Sequence, residues 1–274
     1  MLTDPLQHRH EITVAITCYN EAEFIGDTID TVVAALRQAG RDFEVIVIDD
    51  CSRDDSVAVI ERTIARHPGE SIRLYRNATN QGLASNFVNG AFLGSGRYYR
   101  LCCGDNAESL ESLVTLFSHV GAADLVIPYQ LQENVEGKTR LRKTISRTFT
   151  FLVNAISGYR LKYYNALPIY LRYHVMRFAP VTYGFGFQAD VITRLLGEGV
   201  TYAQIDHRSH DRKVGRSTAL SLRNLLSVMH TLLEIVFRRV RAVLFRKSIP
   251  RPREVFPGPP PPAGGGATGR PGRT

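Results

Sequence analysis

The first 130 residues alternate between short apolar runs and longer segments in which apolar residues recur at helical spacing. Ile12–Thr17 and Phe43–Asp49 are continuous and rich in β-branched residues, which is typical of strands buried on both faces of a parallel sheet. The segment between them has a helical repeat: Ile25, Ile29, Val32, Val33 and Leu36. A strand, a helix and a second strand are therefore predicted here, with Asn20 able to cap the helix.

The same alternation continues along this half of the chain. Further strands are predicted at Ile72–Tyr75, Tyr98–Cys102 and Asp124–Pro128. Further helices are predicted from Ser52 or Asp54 to Ile64, at Leu83–Leu93 and at Glu108–Val120. Because strands and helices alternate with short connections, the fold class is α/β with a mainly parallel sheet.

The second half of the chain is less regular. Residues 138–183 show no clear period, after which a helix at Phe187–Leu196 and a strand at Val200–Ile205 are predicted. From about Leu220 to Phe245 a wide apolar face repeats at helical spacing, but polar residues interrupt it too often for a bilayer span. This pattern predicts a C-terminal amphipathic helix.

These patterns divide the chain into segments. We assign residues 1–211 to one α/β domain with halves at 1–130 and 131–211, and residues 212–249 to a basic loop and the amphipathic helix. Eight of the thirteen prolines lie from Pro250 onward, together with a glycine run. We therefore expect residues 250–274 to form a disordered tail.

Positive charge is concentrated near the C-terminus. The formal net charge is +8, yet Arg212 to Arg253 contains eleven Arg and Lys residues against the single acid Glu234, so this segment carries +10 and the rest −2. Such a segment favours a polyanion, either nucleic acid or an anionic membrane surface. Because the basic residues alternate with a wide Leu/Val/Phe face and no nucleic-acid module is recognised, nucleic acid is the less favoured partner.

Polar and acidic residues follow four of the predicted strands. They are Thr17–Glu21, Asp49–Ser52, Asn80–Gly82 and Gly104–Asn106. Ligands of open α/β sheets bind beyond the carboxyl ends of the strands, so these residues predict a site at one edge. No Gly-x-Gly-x-x-Gly or phosphate-loop motif is present, which argues against a dehydrogenase or an NTPase. The four cysteines fit no zinc spacing, and we expect reduced thiols: Cys18, Cys51, Cys102 and Cys103.

The order of these motifs resembles glycosyltransferase family 2, whose members have the GT-A fold. The resemblance rests on Tyr19-Asn20-Glu21, Val45–Asp50 with Ser52 and Asp54, Asn80-Gln81-Gly82, and Asp105. It implies a Rossmann-like nucleotide-sugar-binding half at 1–130, an acceptor half at 131–211, and transfer of a sugar from a nucleotide-diphosphate sugar with inversion at the anomeric carbon.

The resemblance also implies roles for individual residues. Asp50 would contact the base or ribose of the nucleotide, with Tyr19 and Glu21 nearby. Asp105 would be catalytic by holding Mg²⁺ or Mn²⁺, which neutralises charge on the leaving diphosphate. The family's Asp-x-Asp motif reads Cys103-Gly104-Asp105 here, so the first acid is missing. Two alternatives stay open: Asp105 or Asn106 only caps the next helix, or the protein binds nucleotide without transferring a sugar.

The acceptor half resembles the polyprenyl-phosphate sugar synthases of this family at Ser157-Gly158-Tyr159-Arg160 and Arg212-x-x-Gly215-x-Ser217. Arg212, Arg216 and Ser217 would then lie near the phosphates, where arginine pairs phosphate oxygens well. A merely solvated basic loop is the alternative.

Asp190 lies where many family members place an acid on the acceptor side. A hydroxyl acceptor needs such a general base, whereas a polyprenyl phosphate is already anionic. Asp190 could equally be a favourable charge in the first turn of a helix.

These inferences predict a glycosyltransferase of glycolipid or polysaccharide biosynthesis that is peripheral at the cytoplasmic face of the cell membrane. Its acceptor would be membrane-associated; a transferase with a soluble acceptor in polysaccharide assembly is the alternative. The amphipathic helix would meet the lipid, or it would pack on the catalytic domain or a second subunit.

Overall fold

The computed structural model describes residues 6–129, 140–178, 184, 186–206, 222–245 and 251–258 of the 274-residue chain. The strands are β1 His10–Cys18, β2 Phe43–Asp49, β3 Ile72–Arg76, β4 Gly96–Cys103, β5 Leu125–Tyr129, β6 Ile169–Leu171, β7 Thr201–Asp206 and β8 Arg253–Glu254. The helices are α1 Ile25–Gln38, α2 Ser56–Ala65, α3 Leu83–Leu93, α4 Leu110–Ser118, α5 Arg140–Ser157, α6 Arg172–Arg177, α7 Phe187–Gly197 and α8 Leu222–Leu244.

The described strands form one sheet in the order β3-β2-β1-β4-β6-β5-β7-β8. Neighbouring strands are parallel except β6, which runs antiparallel to both β4 and β5. The carboxyl ends of the parallel strands therefore lie at one edge of the sheet. The prediction of an α/β fold with a mainly parallel sheet is confirmed.

Helices cover both faces of the sheet, so the domain has three layers. On one face, α1 and α4 pack with α2 against the side chains of β1 that include Ile12, Val14 and Ile16. On the other face, Ala15 and the alternate residues of β2 meet α3, α5, α7 and α8. Because both faces are covered, the central strands consist of continuous apolar runs, which is the pattern that predicted them.

The region without a clear period, residues 138–183, contains α5, β6 and α6. The strand β6 has only three residues, too few for a period of two to be visible in the sequence. It nevertheless occupies the middle of the sheet, where Tyr170 is buried and pairs with Tyr99 of β4. None of these three elements was predicted from the sequence, and β6 is the one that lies inside the sheet.

The predicted disordered tail at 250–274 is wrong at its start. Arg253–Glu254 forms β8 at the edge of the sheet, parallel to β7. Glu254 accepts a hydrogen bond from the Gln204 side chain at 2.7 Å, and the Val255 amide donates to the carbonyl of Tyr202 at 2.8 Å. The prolines flank this strand without interrupting its hydrogen bonds; residues 259–274 lie outside the described range.

Helix α8 has two apolar faces. One packs on the domain through Thr231 and Ile235, which are buried, and contacts α5 and α7. The opposite face is exposed at positions spaced by three or four residues: Leu226, Met229, Leu233, Phe237, Val240 and Leu244. Among the described residues, no helix is long and apolar enough to cross a membrane. Helix α8 thus packs on the α/β domain, as one alternative predicted, and its opposite face is an exposed apolar surface.

Glu44 on β2 illustrates how the sheet carries a buried charge. Its carboxylate accepts hydrogen bonds from Thr13 Oγ1 at 2.7 Å, from the backbone and hydroxyl of Ser95, and from Arg73 Nη2 at 2.6 Å. Burial alone would raise the pKa of Glu44, but these hydrogen bonds outweigh it and lower the pKa below the ordinary 4.5.

We expect Glu44→Gln to lower the free energy of unfolding by about 1.5–3 kcal/mol at neutral pH, since it removes charged hydrogen bonds. A carboxylate whose folded pKa is depressed stabilises the fold above its unfolded pKa and loses that contribution as the pH falls through the folded pKa. The wild type should therefore lose more stability than the variant below pH 4.5. Urea unfolding across this pH range measures both effects.

The matched control is Glu61→Gln, which removes an exposed carboxylate from α2. Equal stabilities of the Glu44 and Glu61 variants at neutral pH would contradict the assigned role of Glu44.

Candidate nucleotide-sugar site

Three residues mark the carboxyl edge of the sheet by their backbone conformation. Asn20, Cys51 and Asn106 have φ of 55°, 68° and 49°, and they are the only non-glycine residues with positive φ among those described. They follow β1, β2 and β4 within three residues. Asparagine adopts left-handed backbone more readily than most residues, whereas Cys51 does so rarely, and such conformations are concentrated at functional sites.

The loops after β1 and β2 are fastened to each other by polar side chains. The Asn20 amide donates to Ser52 Oγ at 2.9 Å, and the Asn20 side chain accepts from the Arg53 amide at 2.8 Å. Asp54 accepts from the Ala22 amide at 3.1 Å. The prediction that Asn20 caps α1 is wrong, because α1 begins only at Ile25 and the Asn20 side chain joins the two loops instead. Helix α2 begins at Ser56, after both predicted starting points, and Asp54 accepts a hydrogen bond from the Ser56 amide at 3.1 Å as well as from Ala22.

Tyr19 and Glu21 project from the first of these fastened loops. The Glu21 amide donates to Ser56 Oγ at 3.0 Å, which fixes the backbone at this point. Tyr19 is 44% exposed, so its ring is available at the edge for contact with a ligand. A flat ring on a rigid loop suits stacking on a base or ribose.

Asp50 is buried directly behind the loop that follows β3. Its Oδ1 accepts from the Asn77 side chain at 2.8 Å and from the Gln81 amide at 2.7 Å, while its Oδ2 accepts from the Gly82 amide at 2.8 Å. Asp50 thus holds the loop carrying Asn80 and the start of α3. The structure brings Asp50 to the predicted edge and gives its carboxylate three donors from the protein.

Asp105 lies at the end of β4, half-buried. Gly104 before it packs so closely on β1 that a Cβ would come within 2.8 Å of the Thr17 carbonyl oxygen. The Gly104 amide donates to that same oxygen at 2.8 Å, and the Asn106 amide donates to Thr28 Oγ1 at 3.0 Å. The turn around Asp105 is therefore fixed from both sides. Asp105 does not cap α4, whose cap is Ser109.

The thiols next to Asp105 remain protonated. Burial raises the pKa of Cys102 to about 12, although the guanidinium of Arg100 opposes this shift. Burial also raises the pKa of Cys103 well above the ordinary thiol value, and Asp105 and Glu108 add to the effect. Cys103 occupies the place of the missing acid, and as a neutral thiol it is a poor ligand for Mg²⁺ or Mn²⁺.

Asp105 is the carboxylate that the resemblance assigns to a metal ion at this edge. Within the described residues, no group of three His, Cys, Asp or Glu side chains could hold a metal ion. Glu108 is committed to the fully buried Arg100, whose Nη2 donates to it at 2.5 Å. The donor set fits an ion that brings most of its ligands with it, such as Mg²⁺ or Mn²⁺ carried by a diphosphate.

Asp190 on α7 is fully buried and faces α8 rather than solvent. Its Oδ1 accepts from Arg194 Nε at 3.1 Å and from Arg238 Nη1. Arg238 also donates to Thr193 Oγ1 at 3.0 Å, so it is bound to α7 at two points. The structure places Asp190 in an ion-paired contact between two helices and does not bring it together with Asp50 and Asp105.

Three predicted site residues, Arg212, Arg216 and Ser217, lie outside the described residues. Sequence reasoning missed Asn77 and Ser56, which position Asp50 and Glu21. A short polar residue between a strand and the next helix was the available signal. It does not tell a helix cap from a link between loops, since both use the same side chains.

Comparisons with known proteins agree with this geometry. A family model described as Glycosyl transferase family 2 matches residues 13–182. The dodecaprenyl-phosphate galacturonate synthase of Rhizobium johnstonii is 24% identical over 168 residues, which cover 61% of this chain and 49% of the relative. An undecaprenyl-phosphate 4-deoxy-4-formamido-L-arabinose transferase of Enterobacter is 25% identical over 167 residues, covering 61% and 50%. The chain thus spans about half the length of these curated relatives.

Solved structures show the same fold. One is glucosyl-3-phosphoglycerate synthase from Mycobacterium tuberculosis in complex with Mn²⁺, uridine-diphosphate-glucose and phosphoglyceric acid, with a TM-score of 0.62, 17% identity and coverage of 84% and 80% of the two chains. Another is a mannosyltransferase from Pyrobaculum calidifontis in complex with GDP-Man and Mn²⁺, with a TM-score of 0.56, 14% identity and coverage of 88% and 77%. The predicted GT-A fold is confirmed.

We expect Asp50→Asn to loosen the loop after β3, because an amide has one acceptor oxygen where the carboxylate has two. Amide hydrogen exchange at Gln81 and Gly82 should accelerate about tenfold for a loss of about 1.4 kcal/mol. Mass spectrometry of exchanged peptides measures this, with Asp55→Asn, an exposed neighbouring acid, as the control. Unchanged exchange at both amides would show that Asp50 does not hold the loop.

Proposed function

Because the chain belongs to glycosyl transferase family 2, we propose that it transfers a sugar from a nucleotide-diphosphate sugar to a membrane-associated acceptor, most favourably a polyprenyl phosphate. The observation that carries this proposal is the meeting of Tyr19, Glu21, Asp50 and Asp105 at the carboxyl edge of one parallel sheet. These residues follow three strands, β1, β2 and β4, and ligands of open α/β sheets bind beyond the carboxyl ends of such strands.

The donor is held by the fastened loops. Tyr19 and Glu21 lie on the loop after β1, and Asp50 lies at the end of β2, so base and ribose would bind across these two strand ends. Asp50 would act on the nucleotide both directly and through the loop that it holds, since Gln81 and Gly82 depend on its carboxylate. The diphosphate would then point towards Asp105 at the end of the adjacent β4.

Asp105 would hold Mg²⁺ or Mn²⁺ at the diphosphate, and the ion would supply neutralisation of the charge that develops on the leaving group. Solved relatives of the same fold contain Mn²⁺ with their nucleotide sugars. With a single protein carboxylate, the ion and the donor should bind together rather than in turn.

In the proposed reaction an oxygen of the acceptor phosphate attacks the anomeric carbon from the side opposite the leaving group. The new carbon–oxygen bond forms as the bond to the nucleoside diphosphate breaks, so the configuration inverts. Arg212, Arg216 and Ser217 would bind the acceptor phosphate.

A phosphate acceptor needs no general base, which agrees with the position of Asp190. The carboxylate of Asp190 is fully buried, with its Oδ1 bound by Arg194 and Arg238, and this position hides it from a substrate hydroxyl. A catalytic Asp190 would require α8 to move. The two curated relatives named for polyprenyl-phosphate acceptors support the same choice.

A transferase with a soluble acceptor is the second candidate, and the solved complex that contains phosphoglyceric acid favours it. A thermal-shift screen of UDP-, GDP- and dTDP-sugars with and without Mn²⁺ identifies the donor, since a ligand of the folded state raises its stability. Transfer of the radiolabelled sugar to undecaprenyl phosphate in detergent micelles then tests the acceptor. If no screened donor gives a labelled lipid product, the proposal of a polyprenyl-phosphate acceptor is wrong.

We propose that the outward face of α8 contacts the membrane. Half of the large apolar side chains exposed in the described part of the chain lie between Leu226 and Phe245. An interfacial helix combines such a face with basic residues. Five basic residues lie at and after the C-terminal end of α8: Arg238, Arg239, Arg241, Arg246 and Lys247. Arg238 is already bound to Asp190, so Arg239 and Arg241 remain to meet anionic lipid, and the last two lie outside the described residues.

We expect Asp105→Asn to preserve the fold and to reduce sugar transfer by at least about a hundredfold, because the ion loses its protein carboxylate. Calorimetry should show that Mn²⁺ no longer strengthens the binding of the nucleoside diphosphate. Glu111→Gln, an exposed acid on the next helix, is the control. Full transfer activity in the Asp105 variant would remove this residue from the mechanism.

We expect a triple variant of the outward face, Leu233→Gln, Phe237→Gln and Val240→Gln, to lose most binding to vesicles that contain anionic lipid. Each side chain withdrawn from the interface removes apolar area worth about 25 cal/mol per Å². Cosedimentation at low salt measures the loss, and Phe92→Gln, exposed on α3, is the control.

Substitution is a better test than truncation, because α8 also buries Ile235 and supplies Arg238 to Asp190. If the wild type does not cosediment with anionic vesicles at low salt, the proposed membrane contact of α8 is wrong. If sedimentation velocity shows a dimer that the triple variant dissociates, the face is an interface between two copies of the chain.

A further inference from the structure

A basic cavity lies at the end of the molecule opposite the donor edge. It has a volume of about 270 Å³ and is bounded by the last turns of α5 and α7 and by the C-terminal half of α8. The last turn of α7 leads into the amino end of β7, which is parallel to β5, so the cavity is at the amino edge of the sheet. Asp50 and Asp105 are at the carboxyl edge, and the cavity is therefore separate from the proposed donor site.

Arginines dominate the lining of this cavity. Arg194, Arg238, Arg239 and Arg241 face it, together with one acid, Glu198. Nearby acids balance only part of this positive charge. Asp190 pairs with Arg194 and Arg238, and Glu234 lies close to Arg238. Glu198 pairs with a fifth arginine, Arg177, at 3.4 Å. Five arginines against three acids leave two positive charges in excess.

The excess belongs to Arg239 and Arg241. Neither has a carboxylate within ion-pair distance among the described residues. Arg239 lies over the turn that ends α5, where a Cβ on Gly158 would come within 2.9 Å of its Nη2. Both arginines are exposed on one side and face the cavity on the other, which leaves their guanidinium groups free to bind an anion.

Tyr159 adds a hydroxyl donor to the lining. Ser157 and Thr193 also border the cavity, but the Thr193 hydroxyl already donates to the carbonyl oxygens of Ala189 and Asp190. Burial raises the pKa of Tyr159, although Arg239 and Arg238 oppose the shift, so the phenol remains a donor at neutral pH. Guanidinium and hydroxyl donors together are the groups that proteins use for phosphate oxygens.

We propose that this cavity binds the phosphate of an anionic phospholipid headgroup, and that it is a second, non-catalytic lipid contact of the protein. The volume corresponds to about nine waters at about 30 Å³ each, which is enough for a phosphodiester and its first bound waters. The inference rests on the proposed membrane-associated function for its choice of ligand, and on the cavity alone for its existence.

The apolar residues beside the cavity favour a lipid over a free phosphate. Phe237, Val240, Val243, Leu244 and Phe245 are 47–72% exposed, and they belong to the same end of α8 as Arg239 and Arg241. A soluble phosphate would leave these side chains in water. A phospholipid would place its headgroup among the arginines while the acyl boundary covers the apolar residues.

The first test uses the full chain and vesicles of phosphatidylcholine with and without phosphatidylglycerol. Arg239→Gln combined with Arg241→Gln should weaken partitioning onto the anionic vesicles by about tenfold or more, because each basic residue at such a surface contributes about 1 kcal/mol. The double control Arg9→Gln with Arg62→Gln removes the same charge from exposed positions on other elements and should change partitioning much less.

The second test separates a cavity from a basic surface. Ala242 lines the cavity, and Ala242→Phe would fill it without changing the charge. If the headgroup enters the cavity, this variant binds anionic vesicles more weakly; if only surface charge matters, the added ring leaves binding unchanged or strengthens it. Melting temperatures of all variants show that the fold is retained.

A binding experiment with inorganic phosphate in solution distinguishes a lipid headgroup from free phosphate as the ligand. Calorimetry with inorganic phosphate should show at most weak binding to the wild type. Tight binding of inorganic phosphate that is lost in the arginine double variant, with vesicle binding unchanged, would overturn the lipid assignment. Vesicle binding that resists both the arginine and the Ala242 changes would overturn the site itself. Donor binding in the same preparations tests the proposed transferase function separately.

Discussion

The structure depends on how three parallel strands that are buried on both faces come to an end together. In the register of the sheet, Cys18 of β1 lies beside Asp49 of β2, and Thr17 lies beside Cys103 of β4. The strand ends then hydrogen-bond to one another: the Asp50 amide donates to the Cys18 carbonyl at 2.7 Å, and the Gly104 amide donates to the Thr17 carbonyl at 2.8 Å. The backbone polar groups at the edge are paired, so the loops leave from a rigid platform.

That platform explains why the polar residues of the edge serve two purposes. Asn20 adopts a left-handed conformation and bonds across to the neighbouring loop, and Asp50 holds two amides at the start of α3. Each such contact fixes a loop that also carries a residue of the proposed donor site. Electrostatic preorganisation of this kind lets a site bind a charged donor without reordering its own dipoles.

Much of the fold could be predicted from the sequence because burial imposes a clear pattern. The strand Phe43–Asp49 and the helix Leu83–Leu93 have the predicted bounds, since one is a continuous apolar run and the other ends at glycines on both sides. The three-residue strand β6 could not be predicted, because its pairing with β4 and β5 depends on long-range contacts and not on its own period. Long strands can thus be predicted from the sequence, whereas a short strand that forms only through pairing with its neighbours cannot.

Prediction of the site from the sequence has the same limit, because long-range contacts are not visible in the sequence. The positions of Tyr19, Glu21, Asp50 and Asp105 followed from the rule that strand ends meet at one edge, whereas their hydrogen-bond partners did not. Asp190 is the sharpest case, since its partner Arg238 lies 48 residues away and a first-turn acid on a helix is usually exposed. Only the packing of α7 on α8 distinguishes a buried ion pair from a catalytic base.

The packing of α8 also relates the proposed donor edge to the proposed membrane-binding face. Gly184 and Gly186 come so close to α8 that a Cβ on either would clash with Ser227 or Thr231. From there α8 runs alongside α7, with Arg238 beside Asp190 further along both helices, so the two helices run in the same direction away from the carboxyl edge. Residues 207–221 connect the end of β7, at that edge, to the start of α8.

A helix of 23 residues is about 34 Å long at 1.5 Å per residue. An outward face of that length, resting on a membrane, would bring the donor edge to the lipid at one end of α8 and the arginine cavity at the other. A lipid-borne phosphate could then approach the donor without leaving the bilayer, which is the geometric requirement for the proposed acceptor.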